Sequence, residues 1–286
     1  MKLLSFEKDD WISFGAVIDG GVVDLAPRMP DVSDLGMLFA AGMVEEAETA
    51  AKGAEPDFSL DDIRYAKPIL FPEKIICIGV NYQDRNAEYR DGSDAPAYPS
   101  IFMRTPGSLV AHGEPLVRPP ESEQLDYEGE IAIVIGKGGR RIPEDQAEAH
   151  IGGLTCLNEG TIRDWLRHGK FNVTQGKNFE RSGSVGPWIV TADEFESYDD
   201  LRVSTRVNGE LRQDDTTASL MFPFRHLISY VSTFTELAPG DVISTGTPTG
   251  AGVRLDPPVW LKPGDAVEVE VSGVGVLSNT IVDEET

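Results

Sequence analysis

The stretch Leu125-Asp126-Tyr127-Glu128-Gly129-Glu130-Ile131-Ala132-Ile133-Val134-Ile135 limits the possible folds more than any other part of the chain. Its second half, Ile131 to Ile135, is apolar and mostly β-branched, which predicts a buried strand. Strand side chains alternate between faces, so Asp126, Glu128 and Glu130 share one face, and Leu125, Tyr127 and Ile131 the other. Neighbours on one face are about 7 Å apart. Three carboxylates so close at the mouth of an apolar strand repel one another unless positive charge lies between them. A hard divalent cation with oxygen ligands meets that need. The competing reading is a solvated edge strand with an acidic end, ordinary in a chain this acidic.

Composition narrows the class. With 286 residues the chain has room for one large domain, or a large and a small one. Its 40% hydrophobic and 26% charged content is that of a soluble globular protein. There is no apolar run of about 18 residues, so no membrane span is expected. Met1 to Glu7 lacks the apolar core of a signal peptide. Cys77 and Cys156 lie in apolar, strand-like runs and read as reduced core residues of a cytoplasmic protein. The net charge of −23 argues against nucleic acid and anionic membrane as partners. An anionic small substrate stays open, because a local site can be positive inside a negative protein.

Two domains are expected. Residues 1–68 read as a small N-terminal α+β unit of structural role. Trp11 to Leu25 gives two strands around an Asp-Gly-Gly turn, and Ser33 to Ala51 a helix capped by Ser33. Residues 69–286 hold the chemistry. Ile75 to Val80 reads as a strand running into a short helix near Asn86, followed by a mobile loop over 91–98. Pro143 to Ile151 and Thr161 to Arg167 read as helices, and Ile151 to Leu157 as a strand ending at Asn158-Glu159. The final third is dense in short strands, including a hairpin at Asn208-Gly209, interrupted by a helix over Pro223 to Phe234. Many short strands and few helices suggest a mixed β structure closed into a barrel or rolled sheet.

Three further segments concentrate reactive residue types. Glu159 stands where a strand gives way to a helix; the bland reading is a solvated acid favourable at a helix start. Lys177, beside Gly176, can be a fixed positive charge for an anionic substrate, or an exposed lysine. Ser244 to Gly252 follows a strand and presents hydroxyls and backbone N–H groups, a cradle for a carboxylate or a plain Gly-rich turn. It lacks the Gly-Lys-Ser/Thr of a phosphate loop. The four histidines show no paired ligand spacing, and no Gly-x-Ser-x-Gly elbow is present.

Taken in order, Gly79-Val80-Asn81-Tyr82, Leu125 to Glu130, Asn158-Glu159 with Arg163-Asp164, Gly176 to Phe179, Gly186-Pro187-Trp188, Val207 to Glu210 and Pro239 to Pro248 resemble the fumarylacetoacetate hydrolase superfamily. The resemblance spans roughly residues 70 to 282. It implies an α+β fold with a mixed β-roll, usually a homodimer or higher homo-oligomer. It implies Mg2+ or Mn2+ held by Glu128, Glu130 and Glu159; the third position is usually Asp, so Glu159 is one methylene longer. It implies 2-keto or 2,4-diketo acid substrates that chelate the metal, with Thr247 on the substrate carboxylate. Tyr82, Arg163, Lys177 and Gly246 complete the implied substrate contacts.

One departure bears on mechanism. Hydrolytic members carry a His and a Glu that activate water; Glu88 is present here, but Arg85 stands at the His position. Arginine stays protonated and cannot act as a base. The leading expectation is a metal-dependent hydrolase that cleaves a C–C bond in an acylpyruvate to pyruvate and a second acid, with Glu88, Lys177 and Arg85 catalytic. The alternative is a decarboxylase or enol–keto isomerase on a related 2-keto diacid, which needs the same electron sink but no attacking water. Arg85 and Glu88, at i and i+3, share a helix face. Arg85 is expected to clamp substrate as the 83–98 loop closes, or else to form a surface ion pair of small value.

Overall fold

The computed structural model describes residues 1–88, 96–170 and 172–285. Two sheets carry the fold. The larger has twelve strands. Along its main path run Phe58–Ser59, Gly21–Asp24, Trp11–Ile18, Lys2–Lys8, Gly183–Thr191, Ile151–Asn158, Gly129–Ile135, Val242–Ser244, Ile75–Ile78 and Ile101–Arg104. Most neighbours are antiparallel; Ile75–Ile78 lies parallel to Val242–Ser244. The second sheet has five strands: Glu210–Thr216, Arg202–Val207, Ala266–Val271, Gly275–Asp283 and Leu116–Arg118. The architecture is α+β with mixed sheets, as expected.

The Gly129–Ile135 strand lies near the middle of the large sheet and is buried at every position. Ile131, Ile133 and Ile135 enter the main core with Val203, Val269 and Leu277 of the second sheet and with Leu227, Ile228 and Val231 of the Phe224–Phe234 helix. Val134, on the opposite face, packs under Leu35, Leu38 and Phe39. An apolar run without alternation is what a strand covered on both faces requires. Gly129 opens this strand because the second sheet crosses it closely: a Cβ there would lie 2.0 Å from Thr205 Oγ1.

Residues 1–68 continue the large sheet. Lys2–Lys8, absent from the sequence reading, pairs with Gly183–Thr191 on one side and Trp11–Ile18 on the other. The long helix expected over 33–51 is two helices, Leu35–Ala41 and Val44–Ala51, separated at Gly42, whose φ of 68° ends the first. Its cap is Asp34, accepting from Met37 N, and not Ser33. Glu144–His150 is a 3-10 helix, and Thr161–Ile162 is a short strand followed by one 3-10 turn, Arg163–Trp165. Both cysteines are buried and free. Among the described residues no helix is long and apolar enough to cross a membrane.

Candidate metal centre and active site

The acidic stretch is not one continuous strand. Leu125–Asp126 pairs with Thr161–Ile162, the chain turns through Tyr127 and Glu128, and the long strand begins at Gly129. Simple alternation therefore fails for Asp126. Its carboxylate accepts from Arg163 Nε at 2.7 Å, Gly252 N at 2.8 Å and Val253 N at 3.0 Å, away from the other two acids. Glu159 takes its place. The register sets Gly129 opposite Asn158 and Glu130 opposite Leu157, and Glu159 N donates to the Glu128 carbonyl at 2.7 Å. One carboxylate oxygen from each of Glu128, Glu130 and Glu159 then lies within 4.8 Å of the others. All three side chains are buried.

Among the described residues four cations face this cluster unevenly. Lys177 Nζ bridges Glu128 Oε2 at 2.5 Å and Glu159 Oε2 at 2.9 Å, and donates to Thr161 Oγ1 at 2.9 Å. Arg163 Nη2 and Arg85 Nη2 both donate to Glu128 Oε1, at 2.7 and 3.0 Å. Arg104 Nη1 donates to Glu159 Oε1 at 3.2 Å. Glu130 has only neutral donors among the described residues, Ser244 Oγ at 2.5 Å and Gly246 N at 2.8 Å.

The titration behaviour follows this asymmetry. Burial pushes the Glu128 carboxyl up, but Arg163, Lys177 and Arg85 overcome it and hold the group well below the ordinary range. Burial pushes Glu130 well above that range, and the negative charges of Glu159 and Glu128 push it further. Burial also raises Glu159, against the pull of Lys177. Burial alone would lower Lys177, yet Glu128 and Glu159 raise it, so it is protonated.

The residues fit a hard cation. The donor set is three carboxylates from converging strand ends, with Glu130 crowded by like charge and, among the described residues, without a cationic donor. Oxygen-only donors suit Mg2+ or Mn2+, and the absence of His or Cys among them disfavours zinc. Such a site needs waters or substrate to complete its coordination.

The Ser244-to-Gly252 segment is a carboxylate cradle, but the carboxylates it holds here are the protein's own. Ser244 and Gly246 hold Glu130, Gly250 N holds Glu88 Oε1 at 3.1 Å, and Gly252 N holds Asp126. Thr247 Oγ1 donates to the Gly129 carbonyl at 3.0 Å and accepts from Gln213 Nε2 at 2.8 Å. Tyr82 is enclosed in the main core. Arg85 is not a surface group: its side chain is 2% exposed and joins Glu88 Oε2 at 2.6 Å to Glu128. Of the loop expected to close over substrate, residues 89–95 lie outside the described residues.

Two site residues escaped the sequence reading. Arg104 is buried and also donates to the Gly160 and Ser108 carbonyls and to Ser182 Oγ. Gln213, 1% exposed, accepts from Gly129 N at 2.9 Å and donates to Thr247 and to the Pro248 carbonyl. Both look like ordinary strand residues in the sequence; the one available signal was Gln213's place after the Asn-Gly hairpin.

Known proteins resemble this chain in sequence and fold. Residues 74–282 match the family described as fumarylacetoacetate (FAA) hydrolase C-terminal. The mitochondrial oxaloacetate tautomerase Fahd2a of Rattus norvegicus is 35% identical over 294 residues, covering 99% of this chain and 92% of its own. The oxaloacetate tautomerase YisK of Bacillus subtilis (strain 168) is 40% identical over 228 residues, covering 78% of this chain and 75% of its own. A crystal structure of maleylpyruvate hydrolase from Sphingobium sp. SYK-6, in complex with manganese(II) and pyruvate, superposes with a TM-score of 0.81 at 26% identity and full coverage of both chains. These relatives are enzymes, tautomerases and a hydrolase, and the last binds a divalent metal. With the family matched over 74–282 and a relative 35% identical along nearly its whole length, the chain belongs to the fumarylacetoacetate hydrolase family.

Proposed function

We propose that the protein is a divalent-metal-dependent tautomerase that interconverts the enol and keto forms of a 2-keto dicarboxylate of the oxaloacetate class. The observation that carries this reading is Arg85. It occupies the position expected to hold a water-activating imidazole, and its guanidinium is tied to Glu88 and Glu128. A permanently protonated group cannot take a proton from water. Tautomerisation needs no attacking water. The names of the relatives at 35% and 40% identity support the same reaction class.

Glu128, Glu130 and Glu159 would hold Mg2+ or Mn2+, and the cation would supply Lewis-acid stabilisation of negative charge on a keto-acid oxygen. Lys177 is the proton carrier. Its ammonium donates a proton to C3 of the enol, and the amine left behind takes up the proton that the enol hydroxyl releases, so no proton is gained or lost. Arg163, between Asp126 and Glu128, adds positive charge where the enolate develops. Arg85 and Thr247 would meet the substrate's carboxylates by exchanging partners they hold here, Glu88 and Glu128 for Arg85 and the Gly129 carbonyl for Thr247.

The test follows the ultraviolet absorbance of enol-oxaloacetate, with pyruvate release from a panel of acylpyruvates measured in parallel. Metal-dependent acceleration of enol decay is expected, surviving in Glu88→Gln. Pyruvate release from an acylpyruvate without any effect on enol decay, abolished by Glu88→Gln, would refute the tautomerase. It would favour C–C bond hydrolysis, the reading supported by the likeness to a maleylpyruvate hydrolase.

A further inference from the structure

We infer that the Lys177 ammonium is an internal stand-in for the divalent cation: it holds the same carboxylate oxygens, so the two compete, and loading the metal drives Lys177 off Glu128 and Glu159. The inference rests on the metal-binding part of the proposed function and adds a coupling that reading does not contain.

An ammonium has three protons. Those of Lys177 are directed to Glu128 Oε2, Glu159 Oε2 and Thr161 Oγ1, at 2.5, 2.9 and 2.9 Å. The lysine is thus fully engaged at the place where two of the three acids converge. Glu128 has no other oxygen to offer a metal, because Oε1 already accepts from Arg163 and Arg85. Thr161 Oγ1 does not change this: its single proton goes to the Glu159 carbonyl at 2.9 Å, and its 3.3 Å approach to Glu128 Oε2 is the poorer of the two. Oε2 of Glu128 is therefore the oxygen open to a metal, and Lys177 sits on it.

A divalent ion about 2.1 Å from that oxygen would lie beside the ammonium in a buried site, where like charges are poorly screened. One of the two must give way. Arg163 has a second acid, Asp126, that anchors it, and Arg104 grips Glu159 through Oε1, on the far side of the bridge. Lys177 is the cation whose acidic partners are both metal ligands.

The ammonium already lies over an aromatic ring while it bridges the acids, and it keeps that contact available when it leaves them. The ring centroid of Phe102 lies 5.0 Å from Lys177 Nζ, within cation–π range. The lysine sits at the end of a helix of four residues, Thr174–Lys177, so a change of its side-chain rotamer suffices and no long element need move. Two consequences follow. In the metal-free protein the lysine offsets the repulsion that would otherwise push the three acids apart. In the loaded protein it is released from the acids toward the bound keto acid, so that the proton carrier is in place only when the metal is.

The test is calorimetric titration of the metal-free protein with Mn2+, together with thermal denaturation, on wild type, Lys177→Met and Arg85→Met. Arg85→Met removes one positive charge from the same acid, Glu128, but from the other oxygen, and so measures plain electrostatics. Lys177→Met is expected to melt lower than wild type without metal, to bind Mn2+ at least tenfold tighter, and to gain more in melting temperature from Mn2+. Arg85→Met is expected to gain much less in affinity. Equal gains in the two variants, or unchanged or weaker binding in Lys177→Met, would overturn the stand-in. Absence of Mn2+ binding in all three proteins would instead overturn the metal reading on which it rests. Should Lys177→Met not fold, labelling of wild-type lysines with a small amine reagent, mapped by peptide mass spectrometry, decides the matter. Labelling of Lys177 should rise on addition of Mg2+, and unchanged labelling would overturn the inference.

Discussion

Gln213→Leu tests whether the metal-binding strand is set in position by a residue that never touches the metal. Leucine has nearly the volume of glutamine, so the substitution removes hydrogen bonds with little cavity. Gln213 makes three: from Gly129 N at 2.9 Å, to Thr247 Oγ1 at 2.8 Å and to the Pro248 carbonyl at 2.9 Å. Thr247 keeps its bond to the Gly129 carbonyl. The Gly129 N–H and the Pro248 carbonyl lose this partner in a buried setting, at about 1–3 kcal/mol each, so the expected loss of stability is roughly 2–6 kcal/mol. Urea unfolding measures it as a lowered midpoint with unchanged slope. Gly129 lies between two of the proposed ligands, so Mn2+ affinity should fall by about tenfold, equivalent to about 1.4 kcal/mol. A stability loss below about 1 kcal/mol, with Mn2+ affinity unchanged, would refute the argument that Gln213 holds the strand.

Two further expectations concern the same centre. Gly246 has a φ of 100° and a Cβ there would meet Asn81 Cβ at 2.8 Å, so Gly246→Ala should cost about 1–3 kcal/mol in backbone strain alone. It should also weaken Mn2+ binding, since Gly246 N holds Glu130; wild-type affinity and melting temperature would contradict both. The raised pKa of Glu130 fixes the sign of a pH effect. A carboxyl raised in the folded state contributes stability that is full below its ordinary value of 4.5 and is lost as pH rises through the folded value. Glu128, held low, contributes the opposite way, with stability present above its ordinary value and lost as pH falls. Metal must displace the Glu130 proton, so Mn2+ affinity should increase with pH. Calorimetry in buffers of different ionisation enthalpy should show proton release on binding, and Glu130→Gln should reduce it.

Several strands were legible because their signals are local. Trp11–Ile18 with Gly21–Asp24, Ile75–Ile78 and the hairpin at Asn208-Gly209 follow from apolar runs bounded by turn residues. Lys2–Lys8 and Gly183–Thr191 were not: the first mixes lysine, serine and glutamate into its run, and the second is interrupted by Gly186-Pro187. Their pairing with each other, 190 residues apart at Met1 and Thr191, is a long-range event that local sequence does not encode. The break at Gly42 was visible as a glycine, but glycine within a helical pattern is tolerated often enough to be read through.

The sequence by itself determined the chemistry of the centre: a Glu-x-Glu pair at the start of an apolar strand, a third acid at a strand end, and a lysine and a Gly/Thr-rich turn to face them. Residue type and spacing carry that information because strand periodicity puts Glu128 and Glu130 on one side of the chain. Only the tertiary structure decided which charges meet. It removed Asp126 from the cluster by ending one strand pairing before the next begins, and it turned the Gly/Thr-rich segment inward onto Glu130, Glu88 and Asp126. It buried Arg85 against Glu128, 43 residues away, and brought Arg104 and Gln213 to the site. Burial and partnership depend on what packs from distant parts of the chain, and they set whether a charged side chain is a solvated ornament or part of the machinery.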